Sequence, residues 1–197
     1  MAKIKPRLYI LPGWGHRTTD SNYRKLIAFA SKKYQFIPLK ISTRNRKYSM
    51  GNEKSIDKIL GKIEKQIKKP YSNDTIIGFS IGALQAYLLA RKIKFNKLIL
   101  CSISPILGQD LLLWKKKDLI DISPIQYKEM KKLPYPPLAT KKIMLFYGGK
   151  EHPIVKNRVK KLGERKGYRV IEIKNAAHDF NDIYIKAVEK VLFSKKI

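Results

Sequence analysis

Short apolar runs alternate from end to end with stretches whose apolar residues recur every three or four positions, and this constrains the fold more than any other feature of the chain. Residues 8–11, 35–42, 75–79, 97–103, 142–147 and 168–173 read as strands. Between them, Asp20 or Ser21 can cap a helix carrying Tyr23, Leu26, Ile27 and Ala30. Residues 55–69 place Ile56, Ile59, Leu60, Ile63 and Ile67 on one helical face, and Pro70 ends it. Further helices are predicted over 81–93, 155–166 (stopped by Gly167) and 180–193, the last with Ile183, Ala187, Val188, Val191 and Leu192 as its apolar stripe. Residues 43–52 read as a loop. Strand–helix alternation implies an α/β domain of about six mostly parallel strands, with helices on both faces and right-handed crossovers. Such sheets bind ligands at the carboxyl ends of their strands. Residues 106–141 break the pattern with Leu111-Leu112-Leu113-Trp114, a lysine run and four prolines. They are expected to form a short cap of helices and loops on a single domain spanning 1–197.

At 197 residues and 44% hydrophobic, the chain can bury a core of ordinary size. No apolar run approaches the roughly 18 residues of a membrane span, and residues 8–11 are too short for a signal-peptide core, so a cytoplasmic protein without a transmembrane segment is expected. A single cysteine, Cys101, excludes an intramolecular disulfide and any multi-cysteine metal site. Lys and Arg total 43 against 15 Asp and Glu, a formal +28. That field attracts polyanions: nucleic acid, anionic lipid or an acidic carrier protein. The lysines are scattered evenly, with no arginine block and no basic–aromatic repeat, so biased composition is the favoured reading and nucleic acid a disfavoured partner.

The strand at 75–79 runs into Gly78-Phe79-Ser80-Ile81-Gly82 and then a helix. A serine at a sharp strand-to-helix turn stands at the top of the sheet, and flanking glycines let neighbouring backbone approach. The Ile81 amide opens the helix and can face a developing oxyanion. A plain glycine-lined turn would look the same in isolation; the strand before and the helix after favour a nucleophile. Serine needs a base to become one. The chain offers three histidines: His16 in the first loop, His152 after the fifth strand and His178 before the last helix. The loop Leu11-Pro12-Gly13-Trp14-Gly15-His16 follows the first strand.

Together these residues resemble the serine α/β-hydrolase superfamily, and within it the compact carboxylesterases. The loop and elbow are similar to those of pimeloyl-carrier-protein methyl ester esterases, and the short cap resembles small retinoblastoma-binding-type serine hydrolases. The resemblance covers nearly the whole chain. Pro12 replaces the histidine often found before the loop glycine, and no segment of this sequence is expected to form the family's first two antiparallel strands. The family order of nucleophile, acid and base implies Ser80, Glu151 and His178. Glu151 would accept the imidazole N–H and stabilise imidazolium; Asp179, Asp118 and Asp121 are the weaker acids. The resemblance also implies an oxyanion hole from the Ile81 and Trp14 amides, with Gly13 as the alternative to Trp14. His16 would either contact substrate or cap a turn, the latter being favoured. The implied activity is carboxylic ester hydrolysis through an acyl-enzyme, with no metal or organic cofactor. The substrate would be a small-molecule or carrier-linked acyl ester. Leu113, Trp114, Tyr127 and Met130, with Leu111, Leu112 and Tyr135, would either roof an acyl cleft or pack the cap onto the sheet. A non-catalytic binding module for an acidic protein or nucleic acid is the alternative.

Overall fold

The strands lie side by side in the order β2-β1-β3-β4-β5-β6, and every pairing is parallel. The structure is a computed structural model describing residues 5–39, 56–67, 73–115, 124–133, 135, 138, 140 and 142–194. The strands are β1 (Arg7–Leu11), β2 (Gln35–Ile37), β3 (Thr75–Phe79), β4 (Lys97–Cys101), β5 (Lys142–Gly148) and β6 (Tyr168–Ile173). The helices are α1 (Ser21–Ala30), α2 (Ile56–Gln66), α3 (Ile81–Leu89), α4 (Gln109–Lys115), α5 (Pro124–Lys132), α6 (Pro153–Gly163) and α7 (Asp182–Leu192).

Alternation along each strand assigns the core. Tyr9, Leu11, Ile76, Leu98, Leu100 and Leu145 face one layer, formed by α2, α3 and α6. Leu8, Ile10, Ile77, Ile99, Met144 and Phe146 face the other, where Tyr23 and Leu26 of α1 and Tyr184, Val188 and Leu192 of α7 pack. Every residue of β3 and β4 is buried, because both strands are covered on both faces. Helix α3 is buried all round, which explains why its sequence is apolar on every side.

Two strand ends and one helix face differ from expectation. Strand β2 stops at Ile37, and Pro38 and Leu39 leave the ladder; the loop predicted at 43–52 and the end of the strand predicted to 42 lie outside the described residues. Strand β4 stops at Cys101 because Ser102 takes a left-handed backbone, φ 51°. On α7 the buried face is turned from the one read in the sequence. Tyr184 and Ile185 point inward, and Ile183 is 45% exposed.

The predicted cap is represented by α4 and α5, and it is fastened to the first layer. Leu111 and Met130 are fully buried there. Arg158 of α6 pairs with Asp110 of α4, Nη2 lying 2.6 Å from Oδ1, and its guanidinium sits 4.3 Å from the centre of the Tyr135 ring. The Ile56 amide at the start of α2 donates to Glu129 Oε2 of α5 at 2.7 Å. On the opposite face, buried Lys97 donates from Nζ to the last carbonyls of α7, Val191 and Leu192, both at 3.0 Å. Val191 O also accepts the Ser194 amide at 3.3 Å and Leu192 O the Tyr34 hydroxyl at 3.0 Å, and a cation at a helix C-terminus is favoured by the helix dipole. Burial lowers the Lys97 pKa to about 8, with Lys142 and Lys33 adding repulsion.

Candidate active site

Ser80 occupies the turn between β3 and α3 with φ 54° and ψ −118°, a conformation that costs roughly 1–3 kcal/mol and persists only when surroundings hold it. They do. The Ser80 amide donates to Cys101 O of β4 at 2.9 Å, and the Ser80 carbonyl accepts from Ala83 at 3.0 Å and Ser104 at 3.3 Å. The bracketing glycines are forced by backbone proximity. A Cβ at Gly82 would lie 2.1 Å from the Leu11 carbonyl oxygen, and one at Gly78 would lie 2.5 Å from Ala83 Cα.

His178, far along the chain, reaches this turn: its Nε2 stands 2.8 Å from Ser80 Oγ. Its ring is 5.3 Å from the ring of Phe79, and the side chain is 41% exposed. The segment bearing it is tied to the end of β5. The Lys150 amide donates to Ala176 O at 2.9 Å, and a Cβ at Gly148 would lie only 2.4 Å from that same oxygen. Glu151 follows in the β5 loop with its side chain fully buried. Its Oε1 lies 3.8 Å from His178 Nδ1, close enough for charge attraction but longer than a hydrogen bond.

Two hydroxyls not foreseen from the sequence hold that carboxylate. Tyr184 OH donates to Glu151 Oε1 at 2.6 Å, and Ser102 Oγ donates to the same oxygen. The two hydroxyls are 2.5 Å apart. Burial and the neighbouring carboxylate both raise the Tyr184 pKa, so the phenol stays a donor. Glu151 Oε2 is buried with no partner among the described residues. A third unforeseen hydroxyl, Ser104 Oγ, lies 3.2 Å from Ser80 Oγ. The weak signals in the sequence were two serines, Ser102 and Ser104, in an otherwise apolar run, 98–104, and a tyrosine within an apolar helix.

The other histidines have separate positions. His152 caps α6, its Nδ1 accepting the Ile154 amide at 3.2 Å. His16 Nδ1 lies 3.3 Å from Asp20 Oδ2 in the first loop. Asp179 is exposed, and Asp118 and Asp121 lie outside the described residues.

The first loop stands against the elbow: a Cβ at Gly13 would be 3.5 Å from Ser80 Cβ. The expectation that Gly13 could serve as an oxyanion donor is corrected, because its amide already donates to Tyr23 OH at 3.1 Å. The amides of Trp14 and Ile81 have no acceptor among the described residues. Of the expected acyl-cleft residues, Met130 is also corrected: it is fully buried in the core beneath the cap and cannot line an open cleft. Tyr127 is half-buried against that core. Leu113 and Trp114 fall on α4, with side chains outside the described residues.

This arrangement of a six-stranded sheet between two layers of helices aligns over nearly its whole length with a group of solved structures. The chain has the α/β-hydrolase fold. It aligns with the esterase Est1E from Butyrivibrio proteoclasticus, solved with ferulic acid bound, at a TM-score of 0.74 and 13% identity, covering 96% of this chain and 87% of that one. With mouse α/β-hydrolase domain-containing protein 10 the TM-score is 0.75 at 18% identity, covering 95% and 88%. With ClbQ of the colibactin pathway it is 0.61 at 19% identity, covering 95% and 94%. No protein-family model and no curated protein matches the sequence. Within this α/β-hydrolase fold, no described helix is long and apolar enough to cross a membrane.

Proposed function

We propose that the protein is a serine hydrolase of the carboxylesterase or thioesterase type, using Ser80 as nucleophile, His178 as base and Glu151 as the acid behind it. The observation that carries this reading is the 2.8 Å approach of His178 Nε2 to Ser80 Oγ, across 98 residues of sequence, at a strained turn. Fold neighbours that include an esterase and a thioesterase support hydrolytic chemistry. His178 removes the hydroxyl proton as Ser80 Oγ attacks an acyl carbonyl, and the tetrahedral oxyanion is held by the Ile81 and Trp14 amides. The positive charge then growing on the imidazole is stabilised by Glu151, whose carboxylate is drawn toward Nδ1 across the 3.8 Å gap. His178 returns the proton to the leaving group, and water, activated in the same way, releases the acid.

Fluorophosphonate labelling followed by peptide mass spectrometry tests the nucleophile without knowledge of the substrate. Label is expected on Ser80 alone, with Ser80→Ala unlabelled and p-nitrophenyl acetate turnover reduced on the order of 10⁴-fold or more. An unlabelled protein, or a Ser80→Ala variant with unchanged turnover, refutes the assignment.

A further inference from the structure

Among the described residues, the two faces of the sheet are unequally covered. The first carries α2, α3 and α6; the second carries α1 and α7. Strands repeat at about 4.8 Å, and a helix with its side chains is about 10 Å wide, so two helices cover about four of six strands. The uncovered margin lies at β6, an edge strand paired only with β5. Between β6 and α7 runs a groove of about 620 Å³.

Its walls are amphipathic. Ile171 of β6 and Ala187 of α7 form part of an apolar floor, and Ile183, the α7 residue that turned outward, is open beside it. Arg169 and Lys174 stand at the two ends of the β6 side, and Lys186 and Lys190 along the α7 side, all four exposed. None of the four makes an ion pair among the described residues. The one acid on the wall, Glu172, accepts the Tyr147 hydroxyl at 2.7 Å.

We propose that this groove is a docking seat for an acidic amphipathic helix of a partner protein. The span between Arg169 and Lys174 is about 16 Å of strand, and the lining stretch of α7, from Ile183 to Ser194, is also about 16 Å. Charges spread over that length cannot all be met by one small anion, whereas a helix of three turns matches it and completes the uncovered layer. A second copy of this chain is a poor occupant. At +28 the copies repel, and Asp74, Asp110 and Asp182 are already paired within the fold. A flat bilayer does not enter a concave groove, and nucleic-acid phosphates leave its apolar floor uncovered. The seat does not depend on the chemistry of Ser80.

The test is fluorescence anisotropy with the full chain and a labelled helical peptide of about 14 residues, with glutamates on one face and leucines on the other. A charge-matched peptide without the leucine face is the comparison. Saturable binding is expected for the amphipathic peptide only, weakened about 10–100-fold by Lys186→Glu/Lys190→Glu and about 5–20-fold by Ile183→Ser. Lys58→Glu/Lys65→Glu on the exposed face of α2 makes the same change of net charge and is expected to leave the groove-specific part intact. Circular dichroism of each variant checks that it is folded. Absence of saturable binding, equal binding of the two peptides, or equal losses from the α2 and α7 reversals overturns the proposal. So does tighter binding of phosphatidylserine vesicles or duplex DNA through the same lysines.

Discussion

Removing the two hydroxyls on Glu151 separately and together measures how the buried acid is held. Tyr184→Phe deletes one oxygen and keeps the ring beside Phe79, 5.7 Å away, and Phe180, 6.2 Å away. The lost bond ends on a carboxylate, so the cost is that of a charge-assisted hydrogen bond, about 1.5–3 kcal/mol. For a chain of this size that lowers the melting temperature by about 4–10 °C. Ser102→Ala removes the second donor at similar cost. In the double variant Oε1 loses its last hydroxyl donor while Oε2 already has none, and an unpaired buried charge costs several kcal/mol. The double variant is therefore expected to lose more than the sum of the singles, by on the order of 1 kcal/mol or more. Urea unfolding followed by circular dichroism at neutral pH gives the cycle, with unchanged m-values as the check on the unfolded state. Turnover of p-nitrophenyl acetate should fall alongside, on the order of 10-fold for each single variant, with KM little changed. Single variants within about 0.5 kcal/mol of the parent, or strict additivity, would refute the idea that these hydroxyls jointly secure the acid.

Two further expectations concern the framework. Gly82→Ala sets a methyl against the Leu11 and Pro12 carbonyl oxygens, at 2.1 and 2.5 Å, so α3 must move from the first loop. A loss of about 2–4 kcal/mol in urea unfolding is expected, with turnover reduced on the order of 100-fold as the Ile81 and Trp14 amides part. Lys97 makes stability depend on pH. Its pKa is lowered to about 8 in the fold from 10.5, so below pH 8 the folded state bears the full penalty of a buried charge. Between about pH 8 and 9 the unfolded chain holds the extra proton, and stability rises with pH by on the order of 1 kcal/mol. Above about pH 9 Cys101, whose burial keeps its thiol protonated in the fold, opposes the rise, and above about pH 10 the buried tyrosines reverse it, since Tyr23, Tyr87 and Tyr184 resist the ionisation available to them when unfolded. Urea midpoints across this range should show the rise, and Lys97→Met should flatten it.

The parts of this molecule that follow from periodicity were readable in its sequence. Residues 75–79 and 168–173 form strands at the bounds expected, and the glycines around Ser80 are small for the anticipated reason, contact with backbone. The partners of Glu151 could not be read in this way. Ser102 matters because its left-handed backbone turns it out of β4, and nothing in a run of apolar residues announces a positive φ at a serine. Tyr184 matters because α7 is turned enough to bury Tyr184 and Ile185 and expose Ile183, while Val188, Val191 and Leu192 of the expected stripe stay buried. That rotation is set by packing against α1 and the sheet, and no local pattern records it. Gly13 was misread for a related reason: the acceptor of its amide, Tyr23, lies on the next helix and was visible only as a core residue.

His178 and Tyr184 both lie beyond β6, and the groups they meet come from residues 80, 102 and 151. In the proposed mechanism, a growing chain emerging from the ribosome can therefore lay down all six strands and still have an inert serine. Only when the segment carrying α7 closes over the second face do the imidazole and the phenol arrive, together, so reactivity follows completion of the sheet rather than building up with it.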